Sequence, residues 1–200
     1  MYRLFYDFES NGDVLFIVIN PEKKPDEVVT NGDVTCLYTN KELVGINIFN
    51  VSRIAKLKSH GAIFAPDSLL LKTINDLLEN SNAPRLEETA NSGFKVLEIT
   101  NLEEHPLDEK AQIVTLKGKD DTTYQAVSFY KNLKIGENVV AATSGTILYD
   151  GSLFTKKLVK NIPVDVTLCS GKELKVSDNF KEAFLPEGYL PGEDFFYPNN

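Results

Sequence analysis

A chain of 200 residues, 42% hydrophobic and 25% charged, has room for one large domain or two small ones and buries a real core in either case. No apolar run approaches the ~20 residues of a membrane-spanning helix, and a disulfide framework is not expected from Cys36 and Cys169 alone. The net charge of −8 argues at first against a nucleic-acid partner, but residues 1–91 and 176–200 each carry a balance of −4 while 92–175 carry eleven lysines and eleven acids.

Within that neutral stretch Lys156, Lys157, Lys160, Lys172 and Lys175 face only Asp165 and Glu173. A solvated surface face explains such a cluster as readily as a binding face does. Asp7 arrives before any long apolar core forms, so Met1 to Asp7 lacks a signal-peptide layout. With two separated thiols, this points to a reducing, cytoplasmic setting.

The elements follow in chain order. Tyr2 to Phe8 and Val14 to Ile19 read as strands separated by the turn pair Asn11-Gly12. Asn31-Gly32-Asp33 marks a further turn before Val34 to Tyr38, and Leu43 to Phe49 alternates through Val44, Ile46 and Ile48 like a half-buried strand. Asp67 is placed to N-cap a helix over Ser68 to Leu78, whose apolar Leu70, Leu71, Ile74, Leu77 and Leu78 keep helical spacing. Asn80 to Pro84 stops it. Residues 85–93 are polar and aperiodic, the candidate linker. Beyond it, Phe94 to Thr100, Gln112 to Leu116, Thr123 to Phe129, Asn138 to Ala142 and Val164 to Cys169 read as five short strands, the pattern of a small barrel or sandwich.

Catalytic and metal-binding patterns are missing. His60 and His105 have no second His or Cys at ligand spacing. Ser170-Gly171-Lys172 lacks the upstream glycine of a phosphate loop. The acid pairs Glu87-Glu88, Glu103-Glu104 and Asp120-Asp121 fall in loop-like stretches, and no nucleophile, base and orienting group assemble. Neither an enzyme nor a cofactor or metal is expected.

Four ordered elements carry a resemblance. Phe94-Lys95-Val96-Leu97-Glu98-Ile99 followed by His105-Pro106 and Lys110 opens it. Asn132-Leu133-Lys134-Ile135-Gly136-Glu137-Asn138-Val139-Val140-Ala141-Ala142 is similar to an N-V-x-x-G-x-x-V-x-x-A element, and Leu168-Cys169-Ser170-Gly171-Lys172-Glu173-Leu174 to a closing C-S-x-x-E-L. The tail Phe184 to Phe195 is similar to L-P-x-x-x-x-P-G-x-x-F. Together they resemble the tRNA-binding domain of EMAP II-like cytokines, of some methionyl-tRNA synthetases and of the bacterial phenylalanyl-tRNA synthetase β subunit. In the first half, Phe5-Tyr6, Gly12-Asp13-Val14-Leu15 and Val44 to Ser52 resemble the N-terminal module of small two-domain bacterial proteins that end in such a domain. The chain departs from the pattern at Leu107 in place of Asn, at Phe129-Tyr130-Lys131 in the G-A-P-N turn, and at Val164, Val166 and Thr167 in place of Ser, Gly and Met.

The resemblance implies an α+β, mostly β chain: an N-terminal α+β module over 1–88 followed by an OB-fold β-barrel over 92–197. It implies a non-catalytic RNA-binding protein that holds tRNA weakly, since several of the altered positions stand where RNA contacts are expected. The alternative is a protein-interaction or scaffold module that keeps the barrel and has lost its RNA face. OB barrels set cations on phosphates and aromatic rings under bases. The residues expected to touch RNA are His105, Lys110, Tyr130, Lys131, Asn132, Lys156, Lys157, Lys160, Ser170 and Lys172. His105-Pro106 reads equally as a rigid loop corner, and Phe129 as a core residue. Free-standing members of the family imply a homodimer.

Overall fold

The computed structural model describes residues 2–58, 60–87 and 91–198, which gather into two units, Met1–Thr89 and Ala90–Asn200. Of the linker expected at 85–93, residues 88–90 lie outside the described residues.

In the first unit strands β1 (Arg3–Tyr6), β2 (Val14–Val18), β3 (Glu27–Asn31), β4 (Val34–Thr39), β5 (Glu42–Phe49) and β6 (Gly61–Ile63) form an antiparallel sheet in the order β3-β4-β5-β2-β1-β6. Turn chemistry sets its hairpins. Asn40 and Lys41 both take positive φ, 50° and 66°, the requirement of a two-residue type I′ loop. The Asn11-Gly12 turn contains a helical turn, α1 (Phe8–Asn11), because Asp7 leaves the strand and accepts the Ser10 N–H at 3.3 Å. The strand expected as far as Phe8 therefore ends at Tyr6.

Helix α2 (Ser68–Asn80) begins where expected, with the Asp67 carboxylate accepting the Leu70 N–H at 2.7 Å. Leu71, Ile74 and Leu78 are its buried apolar face. Ile74 and Leu78 join a core to which β1, β2, β4 and β5 contribute alternate residues: Leu4 and Tyr6, Leu15 and Ile17, Val34 and Cys36, Ile46 and Ile48. Burying Ile74 and Leu78 completely stabilises the unit by roughly 1.5–3 kcal/mol each. Asn75 then exchanges two hydrogen bonds with the Leu86 backbone, 2.7 and 3.0 Å, which folds the chain back after the helix.

The second unit is built on β7 (Phe94–His105), β8 (Asp108–Lys117), β9 (Thr123–Ser128), β10 (Asn138–Thr143) and β15 (Val166–Leu168), ordered β15-β10-β7-β8-β9. Two small hairpins, β11 (Thr146–Ile147) with β12 (Leu153–Phe154) and β13 (Lys157–Val159) with β14 (Ile162–Val164), fill the connection before β15. Register shifts at Ile99/Asn101 and Glu104/His105 let the long β7 bend. The open edges meet at Asp165: its N–H donates to the Gln125 carbonyl at 2.8 Å, and its carboxylate accepts the Gln125 N–H at 3.2 Å. The five-stranded sheet is thereby nearly closed into a barrel of the OB type. Leu97, Ile99, Val114, Leu116, Val139, Ala141, Val166 and Leu168 fill it.

The tail seals the outside of this barrel. Phe195 donates its N–H to the Phe94 carbonyl at 2.9 Å, and Val96 donates to Glu193 at 2.9 Å. The buried Asp194 carboxylate accepts the Ser92 N–H and hydroxyl at 2.8 and 2.7 Å and the Phe196 N–H at 3.1 Å. Phe94, Phe184, Tyr189, Phe195 and Phe196 meet ring to ring at 5.0–5.5 Å. No helix among the described residues is long and apolar enough to cross a membrane.

Candidate nucleic-acid interface

Where β9 ends, Ser128 Oγ accepts the Tyr130 N–H at 3.1 Å and turns the chain off the sheet. Phe129 is carried outward by this turn and is 57% exposed, so the core role open to it from the sequence is not the one it takes. Tyr130 is half-buried and donates its hydroxyl to Glu173 Oε2 at 3.0 Å.

The same carboxylate oxygen accepts the Ser170 N–H and hydroxyl, both at 2.7 Å, and Ser170 Oγ accepts the Glu173 N–H at 3.3 Å. This reciprocal S-x-x-E arrangement is a capping box. It fixes the turn after β15 and, through Tyr130, ties it to the end of β9. Burial and the neighbouring Glu173 charge push the Tyr130 phenol well above its usual range, so it stays a hydrogen-bond donor. Burial likewise raises the Cys169 thiol, which makes it a packing residue and not a nucleophile.

Two clefts share Tyr130 and Glu173. One, about 290 Å³, is lined by Tyr130, Tyr149, Ser170, Lys172, Glu173 and Phe180. The other, about 280 Å³, is bordered by Ser128, Phe129 and Thr167. Tyr149 and Phe180 are 40% and 61% exposed. The Lys172 ammonium lies 5.6 Å from the centre of the Phe180 ring, a cation held on an aromatic face.

The residues singled out from the sequence divide into three groups. Tyr130 and Lys172 line the groove, Lys131 follows Tyr130 directly, and the Lys131 ammonium donates to the Lys110 carbonyl at 2.7 Å. Neither Lys110 nor Lys131 has a carboxylate partner among the described residues. Lys156, Lys157 and Lys160 sit on or beside the β13–β14 hairpin, with Lys160 at its tip (φ 48°). Lys156 pairs with Asp165 at 2.9 Å and Lys160 with Asp108 at 2.5 Å, while Lys157 lies 5.8 Å from the Phe154 ring centre.

His105, Asn132 and Ser170 turn away from solvent and shape the fold. His105 is 3% exposed, and its Nδ1 accepts the Leu107 N–H at 3.1 Å, so it forms the loop corner. Asn132 clamps Ala183, donating to its carbonyl at 2.9 Å and accepting its N–H at 3.0 Å. Ser170 is fully buried in the capping box. Val164 and Val166 are also buried, at 4% and 0% exposure. Val166 is barrel core and Val164 lies in the β13–β14 hairpin, and of these three altered positions Thr167 borders the cleft beside Phe129.

Tyr149, Phe180 and Glu173 were not among the expected contacts. A signal for the two rings does exist: each is a lone aromatic in a polar, turn-rich stretch, Tyr149-Asp150-Gly151-Ser152 and Ser177-Asp178-Asn179-Phe180, where no apolar periodicity exists to bury it.

A nearly closed five-stranded barrel of the OB type is the architecture that the resemblance implied. The sequence is also similar to known proteins. Over 181 residues, 87% of this chain and 88% of the relative, the sequence is 27% identical to a Bacillus subtilis protein described as "Putative tRNA-binding protein YtpR". About half the chain matches phenylalanine–tRNA ligase β subunits, 35% identical over 104 residues in Bacteroides thetaiotaomicron and 31% over 101 in Anaeromyxobacter dehalogenans. The chain covers 13% of each of those subunits. Residues 21–86 match the family model described as a domain of unknown function, DUF4479. The family model thus lies within the first unit, and the Bacillus subtilis relative matches across 87% of the chain.

Proposed function

We propose that this protein binds tRNA through its second unit, without catalysis, weakly and with little discrimination, in the cytoplasm. The observation that carries this reading is the set of exposed rings around two adjoining clefts, Phe129 on one and Tyr149 and Phe180 on the other, with Lys172 at the wall of the second. Exposed rings beside cations are how OB folds hold unstacked nucleotides, each stacked base being worth about 1–3 kcal/mol. The names of the relatives support the same partner.

Weak binding follows from electrostatics. Residues 92–200 carry twelve lysines against sixteen acids, and Lys156 and Lys160 are already paired. Little counterion release remains to drive association, which sets the affinity at roughly micromolar or poorer at physiological salt. The buried free thiols Cys36 and Cys169 suit a reducing compartment.

The test is a fluorescence-anisotropy titration of labelled tRNA with the full chain at low and moderate salt, repeated with Phe129→Ala and Phe180→Ala. Micromolar binding that each substitution weakens is expected. No binding at low salt, or binding indifferent to both changes, overturns the reading and favours a scaffold role for the barrel.

A further inference from the structure

Resting on the RNA-binding reading above, we propose that the cleft lined by Tyr130, Tyr149 and Phe180 receives a single nucleobase, and that the Glu173 carboxylate selects one carrying an exocyclic amine. At about 290 Å³ the cleft lies at the lower limit of ligand pockets (~300–1,000 Å³). That is room for one base and not for a stacked pair. Tyr149 and Phe180 offer ring faces, and Lys172 on the Phe180 ring supplies positive charge at the same wall.

The selectivity comes from how Glu173 is held. Its Oε2 accepts three hydrogen bonds, from the Ser170 N–H, the Ser170 hydroxyl and the Tyr130 hydroxyl. Its Oε1 accepts none from the described residues. The carboxylate is therefore fixed in orientation, and its second oxygen is left without a hydrogen bond among the described residues on a side chain that lines both clefts. Such an atom accepts from the exocyclic amine of cytosine, adenine or guanine, whereas on uracil it finds only the ring N3–H, flanked on both sides by carbonyl oxygens that repel a carboxylate. The capping-box glutamate thus has a second use that its structural role leaves open.

Glu173→Gln isolates this use. The three donors converging on the Oε2 position require an oxygen there, so the glutamine carbonyl takes it and the amide NH₂ occupies the Oε1 position. The available group changes from acceptor to donor, which now suits uracil O4. Loss of a negative charge strengthens binding to any RNA alike, so the ratio of two affinities is the readout and not either one alone.

The experiment titrates the full chain into labelled oligocytidylate and oligouridylate 12-mers by fluorescence anisotropy at pH 7.5 and low salt. Wild type is expected to favour oligocytidylate by about fivefold or more, and Glu173→Gln to abolish or invert that ratio. Equal binding of the two oligomers by wild type overturns the subsite without any variant having to fold. A preference that Glu173→Gln leaves unmoved, with its melting curve intact, overturns the role of the carboxylate. In both cases RNA binding itself survives. Absence of binding to both oligomers and to tRNA overturns the underlying reading and the subsite with it.

Discussion

The Lys160 ammonium lies 2.5 Å from a carboxylate oxygen of Asp108, joining the tip of the β13–β14 hairpin to the first residue of β8 across 52 positions of sequence. The hydrogen bond from Lys160, followed by the Lys110 N–H, holds the Asp108 carboxyl below its ordinary value. A carboxyl whose pKa is depressed by folding contributes stability above its unfolded pKa, near ~4, and loses it as pH falls through the lower folded value. Lys160→Ala removes the main cause. The melting-temperature difference between wild type and Lys160→Ala should hold steady from pH 8 to pH 5 and then shrink towards zero as the solution is acidified below about pH 4. A difference that grows on acidification would contradict the sign.

The same pairing changes what the lysine cluster can contribute to RNA binding. If Lys156, Lys157 and Lys160 each neutralised a phosphate, replacing all three would flatten the salt slope by about 2–3. Lys156 and Lys160 already have Asp165 and Asp108, so drawing either onto a phosphate exposes a repelling carboxylate. The triple alanine variant should therefore lose about one contact. Its affinity for tRNA should fall about threefold less steeply than that of wild type across a fourfold rise in salt, where three contacts would make the difference roughly 20–40-fold. Titrations at 50 and 200 mM salt decide between these figures.

What could be read from the sequence follows from what leaves a pattern in it. Asp67 and the helical spacing behind it place α2, and alternation places β5 and the strands of the barrel. By contrast, β3 is exposed along its whole length and β6 has three residues, so neither shows a burial period. The run from Val164 to Cys169 reads as one strand, yet Gln125 draws the Asp165 backbone out of line and divides it into β14 and β15. The site suffers from the same limit. A lysine in a sequence does not show whether an aspartate 52 residues away neutralises it, nor does the sequence show that His105 is engaged by the Leu107 N–H and the Ser170 hydroxyl by the Glu173 carboxylate and N–H.

For the domain boundary, the polar stretch 85–93 joins α2 and the turn that follows it to the first strand of the barrel. We expect limited proteolysis to cut first within 85–93 and to leave two protected fragments near 1–88 and 92–197, since the two compact units divide between Thr89 and Ala90 and nicks concentrate between compact units. Fragments identified by mass spectrometry with early cuts inside 94–195 would refute this division.

Val164, Val166 and Thr167 stand in β14 and β15 where the tRNA-binding-domain pattern has Ser, Gly and Met. Reading the sequence alone, Val164→Ser, Val166→Gly and Thr167→Met together should restore RNA contacts. The structure separates them. Val166 is fully buried in the barrel among Leu97, Val139 and Leu168, so Val166→Gly opens a void and frees the backbone, a loss of about 2–4 kcal/mol. Val164 is 4% exposed, and Val164→Ser buries a hydroxyl in place of methyl groups, about 1–3 kcal/mol. Each should lower the melting temperature by several degrees, at several degrees per kcal/mol for a domain of this size, and neither should tighten tRNA binding. Thr167 borders the groove beside Phe129, so Thr167→Met extends the apolar surface available to a base. It should tighten binding by a few-fold while the melting temperature stays within a few degrees of wild type. A Val166→Gly variant that melts like wild type and binds tRNA more tightly would mean that this position faces RNA and not the core.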